Sequence, residues 1–554
     1  MRISSLLLIV LLNITYANAQ NNDSVNCKMI SKYCKVLGYL KYYHPCFTKG
    51  IMDWDAVFVK NYNAIKLLKN AKDVDTYLLN MINTMNSGWK KNKINLPDKR
   101  NIQEEYALIK PIIEKLLVSD SLQIVLKIVF NHRSSNKQSF YSKASKIGNP
   151  IFDNEIAYGE MKYPNEAYRI LAVARFWNIV NYYYPYKELT NVTWDEVLDI
   201  VIPIFIKAEG PLEYYKALSM MITHVNDAHF ILNNPHMLNT NKRMFKLPIK
   251  AKFINRKLYV TEVDKSKQLA QQFEIGDEIV YIKNKSIDSN LIFYQSYISA
   301  SNTATLERDV AIRIVWNNDS IAEVVIKRNE KVMTINAIYY DPNVLDREFN
   351  IKMSECATDC IVSPNIAYIA LDKLNSKNIK TTLNKYKKYK GLIFDLRSYP
   401  EFTLYRITNL LSSQKKKFVR FYSPNYNIPG TYIFDSYRTA GSKHKYGFKG
   451  KIAILVNENT QSRGEFTAMA LQTLEHSKTI GSQTAGTDGD VSKIVLPGAY
   501  VTWLTGLKVC YPDGTATQRV GVKIDIAVKA TIGGIKAGKD EALESAINYI
   551  NDGI

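Results

Sequence analysis

Three short apolar stretches late in the chain, Ile366-Ala-Tyr-Ile-Ala-Leu371, Gly391-Leu-Ile-Phe-Asp-Leu396 and Lys451-Ile-Ala-Ile-Leu-Val456, are separated by helical stretches near Lys380 and Leu404. Apolar runs without polar alternation read as strands buried on both faces, and strands that alternate with helices build an α/β domain with a mostly parallel sheet. The third run leads into Asn457-Glu-Asn-Thr-Gln-Ser462-Arg-Gly-Glu465-Phe-Thr-Ala-Met-Ala470, a polar turn followed by an amphipathic helix. A serine in that turn stands at the carboxyl end of a buried strand, where ligands bind in open α/β sheets. Its neighbouring N–H groups lie at a helix N-terminus, which stabilises a developing oxyanion. Ser462 also reads as a helix cap, because Ser is a preferred N-cap and Glu465 three positions on completes a capping box.

Upstream, a shift of 140 positions brings Tyr42, Tyr43, Pro45, Trp54, Asp55 and Val57 onto Tyr182, Tyr183, Pro185, Trp194, Asp195 and Val197 without a gap. This is a duplicated helical unit: an aromatic amphipathic helix stopped by proline, a loop, and a second helix opened by Trp-Asp. The copies are expected over 20–131 and 150–246, with a polar, basic linker around 132–150. The first residues, Met1-Arg-Ile-Ser-Ser-Leu-Leu-Leu-Ile-Val-Leu-Leu12 followed by Ala17-Asn-Ala19, have the charge, apolar core and A-x-A site of a secretory signal peptide. The run is too short for a membrane span of about 20 residues. Export through residues 1–19 to a periplasm or the cell exterior is expected.

From 247 to 345 the pattern changes to short alternating stretches such as Lys257-Leu-Tyr-Val260 and Glu278-Ile-Val-Tyr-Ile282, which argue strands. Ile275-Gly-Asp-Glu-Ile-Val-Tyr-Ile-Lys-Asn-Lys-Ser286 resembles the turn and strand of a PDZ domain, although no glycine-rich carboxylate-capturing loop precedes Leu258. Six cysteines in 554 residues are too few for a disulfide scaffold, and Cys356-x-x-x-Cys360 has no second pair or nearby histidine to hold zinc. No metal or organic cofactor is expected. The formal charge of +21 suits contact with an anionic envelope surface or acidic substrates, but no nucleic-acid motif accompanies it.

Three segments together carry a family resemblance: Gly391-Leu-Ile-Phe-Asp395-Leu-Arg397, the strand and turn into Ser462-Arg-Gly-Glu465, and Tyr511-Pro-Asp-Gly514 through Thr517-Gln-Arg-Val-Gly521-Val-Lys-Ile-Asp525-Ile526. Their order and spacing resemble the tail-specific, or C-terminal-processing, serine peptidases, specifically over about 360 to 550. The resemblance implies a multidomain α/β protein. Its parts are a duplicated helical N-terminal region, a PDZ-like β-rich domain at 247–345 and a ClpP/crotonase-like peptidase domain at 360–554. It also implies Ser462 as nucleophile and peptides or proteins as substrates.

One branch of that family uses a lysine base in a Gly-rich turn. The matching stretch here, Gly481-Ser-Gln-Thr-Ala-Gly-Thr487-Asp-Gly-Asp-Val491, has Thr487 at the lysine position, and threonine cannot take a proton from serine at neutral pH. The other branch, similar to tricorn peptidases, takes a histidine from an upstream helical segment. The stretch Ala217 to Phe230, ending Asn-Asp227-Ala228-His229-Phe230, resembles that element and nominates His229 as base, with His224 as the weaker candidate. Gln518 falls where the resemblance places a glutamate that orients the histidine; Asp227 or Glu465 are alternative supports. Glycines that shape the oxyanion loop in the family are replaced by Ser398-Tyr399-Pro400-Glu401-Phe402, and Pro400 has no N–H to offer. The N–H of Arg463 is the expected oxyanion donor, with Tyr399 or Glu401 as the second, while Asp395 and Arg397 anchor the loop internally. Two rival functions remain open on sequence: an inactive peptide-binding scaffold of the same fold, and an acyl or ester hydrolase of the envelope.

Overall fold

The computed structural model describes residues 26–87, 102–133, 139–233, 244–264, 272–345, 358–443 and 447–552. The signal-peptide expectation lies outside them. Among the described residues no helix is long and apolar enough to cross a membrane.

The two helical units make the same hydrogen bond 140 residues apart: Trp54 Nε1 donates to Leu37 O at 2.8 Å and Trp194 Nε1 to Trp177 O at 3.0 Å. They also pack on their own equivalents. Tyr42 meets Tyr182 edge-on at 5.1 Å, and Asn178 lies so close to Gly38 that a Cβ there would stand 1.7 Å from its Oδ1. Equivalent residues of the two copies thus touch each other where the helices 26–43 and Glu166–Tyr183 pack together. The second helix therefore differs from the amphipathic expectation: it is buried without a break from Arg169 to Val180, as a helix surrounded by protein must be. Of the polar residues in that run, Arg169 donates to Phe205 O at 2.8 Å and to Pro164 O at 3.0 Å, and two more find partners inside. Asn178 Nδ2 donates to Cys34 O at 3.0 Å, and Arg175 pairs with Asp55 and with Glu155, which also holds Lys41 at 2.6 Å.

The linker expected to separate the copies is instead a small ribbon, Lys143–Ala144 against Pro150–Ile151, whose Asn149 amide bonds Val491 O and Ser492 Oγ. Arg175 likewise reaches Val495 O at 2.8 Å. The helical core extends into the C-terminal part of the chain through Ile494, Leu496, Tyr500 and Leu504.

Residues 249–338 form an antiparallel sheet in the order Lys331–Ile338, Ile321–Arg328, Glu278–Ile282, Lys257–Val263, Ile249–Ile254. The helix Thr303–Ile314 lies beside the last of these, an edge strand among the described residues. The C-terminal sheet runs Asp359–Ser363, Ile366–Ala370, Gly391–Asp395, Lys451–Val456, Ser477–Gly481, Ile526–Ala527, parallel throughout except for its first pair. Helices Leu404–Leu411 and Arg463–Leu471 cover one face, and Glu541–Asp552 covers the other. A long hairpin, Lys416–Pro424 with Tyr432–Ala440, has no counterpart in the apolar-run reading because its residues are mostly half-exposed. Cys360 is disulfide-bonded, and Cys34 and Cys510 are buried thiols.

Candidate active site

Strand Lys451–Val456 ends at a turn locked by Thr460, whose hydroxyl donates to Leu396 O at 2.9 Å and accepts from Asn457 N at 3.1 Å. The turn delivers Ser462 as N-cap of the helix Arg463–Leu471 with φ +54° and ψ −118°. A positive φ at a non-glycine residue is strained and is a feature of functional turns. Both partners of the Ser462 N–H hold it there: Thr487 O at 3.0 Å and Glu465 Oε2 at 3.3 Å.

Glu465 is fully buried beneath this turn and gathers four donors. Besides Ser462 N–H they are the Thr484 hydroxyl at 2.5 Å, Gly486 N at 2.7 Å and Thr487 N at 3.0 Å. Burial pushes its carboxyl up to about 7, against the opposing pull of those donors. Glu465 thus braces the serine turn and the 484–487 loop. Gly486 permits the approach: its φ is +65°, and a Cβ would stand 2.7 Å from the Arg519 backbone.

His229 comes from the other end of the sequence. The helix Pro211–Thr223 stops at His224, and Asn226, with φ +56°, turns the chain so that Asp227, Ala228 and His229 face the serine turn. His229 Nδ1 lies 2.9 Å from Thr505 Oγ1, 3.2 Å from Thr487 Oγ1 and 3.8 Å from Asp227 Oδ1. Thr487 therefore touches both candidates: its carbonyl holds Ser462 and its hydroxyl meets the imidazole. Burial lowers the His229 pKa, with Asp227 and Asp490 opposing the shift. The ring is consequently neutral at pH 7, as a general base must be. His224 caps its helix half-buried, away from these contacts.

Asp227 has no exposed surface. Its Oδ1 accepts from the Thr487 hydroxyl and from His229 N at 2.9 Å, and its Oδ2 from the Thr505 hydroxyl at 2.7 Å and Tyr184 OH at 3.2 Å. Ser299 and Ser301 clamp the neighbouring backbone: Asp227 N and O both bond Ser299 Oγ, and Ala228 N donates to Ser301 Oγ. Gln518 does not meet His229. Its Nε2 donates to Tyr184 OH at 3.4 Å, one contact beyond Asp227, because the 517–521 turn packs behind Tyr184 and not beside the ring. Thr505 and Tyr184 escaped sequence reasoning, which looked for a carboxylate or amide partner and had no signal for hydroxyls from distant elements, and Asp490 was read only as part of the stretch that carries Thr487.

The Arg463 N–H begins the helix and has no acceptor among the described residues. Glu401 is corrected as a second oxyanion donor: its N–H is committed to Leu371 O at 3.2 Å, which leaves Tyr399. The loop lies over the helix start, with Pro400 3.8 Å from where a Gly464 Cβ would be and the Arg463 guanidinium 5.3 Å from the Tyr399 ring. Asp395 and Arg397 form a forked ion pair that Asp540 and Tyr368 extend. Among the described residues no cluster of His, Cys, Asp and Glu could hold a metal ion.

A cavity of 1230 Å³ lies between the edge strand Ile249–Ile254, the helix Thr303–Ile314 and residues 457–459 that precede the serine turn. Neither Ser462 nor His229 lines it. Basic residues outnumber acidic ones in its lining, where Lys250 and Lys252 pair with Glu262 and Glu458 and Arg256 and Lys529 are further cations.

Residues 365–528 match the family model of Peptidase family S41. Among solved structures, mature CPAF complexed with lactacystin is similar with a TM-score of 0.55 at 12% identity, covering 70% of this chain and 99% of that one. Mature CPAF gives 0.53 at 12% identity over the same shares. The photosystem II D1 C-terminal processing protease gives 0.40 at 16% identity over 68% and 99%. The CPAF likeness is one of fold. No curated protein matches the sequence.

Proposed function

The chain belongs, through residues 365–528, to the tail-specific serine peptidases of family S41, and on that premise we propose an exported enzyme that hydrolyses peptide bonds through an acyl-enzyme on Ser462 with His229 as general base. The carrying observation is Thr487, which touches Ser462 through its carbonyl and His229 through its hydroxyl and so ties nucleophile and base to one residue.

The Ser462 hydroxyl attacks the scissile carbonyl carbon as its proton passes to the His229 ring. The carbonyl oxygen becomes an oxyanion that meets the N–H of Arg463 and of Tyr399 at the helix start. Collapse of the tetrahedral species expels the amine, which takes the proton from the imidazolium. A water then attacks the ester by the same path and regenerates Ser462. The groove beside Ile249–Ile254 receives the substrate as an added strand, and the excess of basic over acidic residues in its lining favours acidic segments or a terminal carboxylate. Residues 1–19 support export.

One observation favours an inactive scaffold as a second reading: no hydrogen bond joins the Ser462 hydroxyl to the His229 ring. Such bonds often tighten only with substrate bound. Peptide release from a mixed library by the mature protein, beside Ser462→Ala and His229→Ala, separates the two. A fall of roughly 10³-fold or more in both variants supports the peptidase; a wild type no faster than its variants leaves the scaffold.

A further inference from the structure

The Asp227 carboxylate, when ionised, has only acceptor sites, and each threonine hydroxyl has a single proton. Thr487 donates its proton to Oδ1 and Thr505 donates its own, at 2.7 Å, to Oδ2. Neither hydroxyl retains a proton for the imidazole, yet both oxygens lie within hydrogen-bond distance of His229 Nδ1, at 3.2 and 2.9 Å. Two oxygens with only lone pairs to present can face Nδ1 favourably only if Nδ1 carries the hydrogen.

We propose that Asp227 acts as a positioning residue through Thr487 and Thr505, whose committed hydroxyls hold His229 in the Nδ1–H tautomer and leave the Nε2 lone pair for the Ser462 proton. The inference rests on the reading of His229 as base.

The arrangement differs from direct carboxylate–imidazole contact. At 3.8 Å, Asp227 is beyond hydrogen-bond distance of Nδ1, and the threonines stand between them as a paired relay of orientation. No proton crosses it: during the reaction Nε2 gains and then gives up the serine proton, while Nδ1–H and both hydroxyl protons stay in place. Donation to a carboxylate makes each hydroxyl oxygen a better acceptor, which strengthens its hold on the imidazolium. Asp227 itself is kept in register by Tyr184, by the His229 N–H and by Ser299. The other carboxylate facing the ring is Asp490. Thr487 stands where a lysine branch of the family would place its base, so a residue that cannot do that chemistry has an orienting use here.

The test is a two-bond ¹H–¹⁵N spectrum of histidine-labelled, deuterated full-length mature protein, with the His229 signals identified by their loss in His229→Gln. Seven histidines keep the spectrum sparse. The expected wild-type pattern above the ring's pKa is protonated Nδ1 and bare Nε2. Thr487→Ser and Thr505→Ser keep that pattern, while the double change Thr487→Val with Thr505→Val gives a mixture of tautomers and lowers kcat by about 10- to 100-fold with little change in KM. Asp227→Asn frees both hydroxyl protons to turn toward Nδ1; it shifts the ring to Nε2–H and lowers kcat by up to about 10⁴-fold, the scale expected of a wrong tautomer. An Nε2–H wild type overturns the proposal, as does a double valine variant with the wild-type pattern. Should Asp227→Asn fail to fold, the serine and valine pairs decide the matter. The spectrum needs no turnover: a wild type with Nδ1–H and no peptidase activity upholds the orientation and removes the peptidase reading, whereas an active enzyme with Nε2–H does the reverse.

Discussion

At Ser462 the backbone conformation and the chemistry pull in opposite directions. With φ +54° and ψ −118° the residue sits where glycine is comfortable and a Cβ costs on the order of 1–3 kcal/mol. Ser462→Gly and Ser462→Ala should both lose peptidase activity, yet the glycine variant should be more stable than the alanine variant by about 1 kcal/mol, because both the positive φ and the N-cap position favour glycine. Thermal melts of the two proteins check this, and an alanine variant at least as stable would mean that the turn is unstrained. His229 supplies a second prediction at this scale. With His229 as the proposed base, its neutral form acts, and burial lowers its pKa below 6.5, so activity should be full at pH 7 and fall as the pH drops through the lowered value. Asp490 opposes that shift, so Asp490→Asn should move the acid limb of kcat/KM to lower pH. An unmoved or raised limb would assign the titration to another group.

The helix Arg463–Leu471 is tied to the loop that follows strand Ser477–Gly481 by one buried side chain, Glu465. Because its folded pKa is raised from 4.5 to about 7, the folded protein holds a proton there that the unfolded chain has released. Stability from this group is therefore present at low pH and declines as the pH rises from 4.5 through 7, by about 3 kcal/mol when complete. Buried Asp488, raised in the same direction, adds to the slope. In Glu465→Ala the melting temperature should be lower, from loss of four hydrogen bonds, and should fall less steeply between pH 5 and 8. Melts across that range test the sign; an equal slope would exclude Glu465 as its source.

Across the whole molecule, the site exists only where three parts of the chain meet. Asn302 caps the helix Thr303–Ile314 of the β-rich part, and its amide donates to Thr484 O, Ala485 O and Arg519 O at 2.9, 3.0 and 3.3 Å. Close by, Ser299 and Ser301 hold Asp227 and Ala228 from the helical part. Lys252 and Arg308 reach Glu458, four residues before Ser462. Asn302→Ala should lower kcat by about 10- to 100-fold while costing about 1–3 kcal/mol of stability, because two carbonyls of the loop that carries Thr487 and one of the 517–521 turn lose a donor. Activity measured beside a melting curve checks both; unchanged kcat would show that the β-rich part bears on the site only through packing.

The segment at His229 was picked out by its resemblance to a short motif, and the three apolar strands of the C-terminal sheet and the turn at Ser462 were legible because each is a local pattern, an apolar run or a cap beside a helix. The helical repeat was legible for the same reason, since identical residues recur at one spacing. The burial of Glu166–Tyr183 was not, because an all-round packed helix with Arg175 and Asn178 inside looks amphipathic until its partners are known. Nor was the supporting shell of His229. Gln518 was expected beside the ring and lies behind Tyr184, while Thr487 and Thr505, two residues with no distinguishing chemistry in the sequence, are the ones that touch it. Sequence alone nominated Ser462 and His229 as the reactive groups, through a serine turn and a segment that resemble those of a peptidase family. Tertiary structure decided which groups orient them, because a hydrogen bond at 2.9 Å between residues 276 positions apart depends on how sheets and helices pack and leaves no periodic trace in the chain.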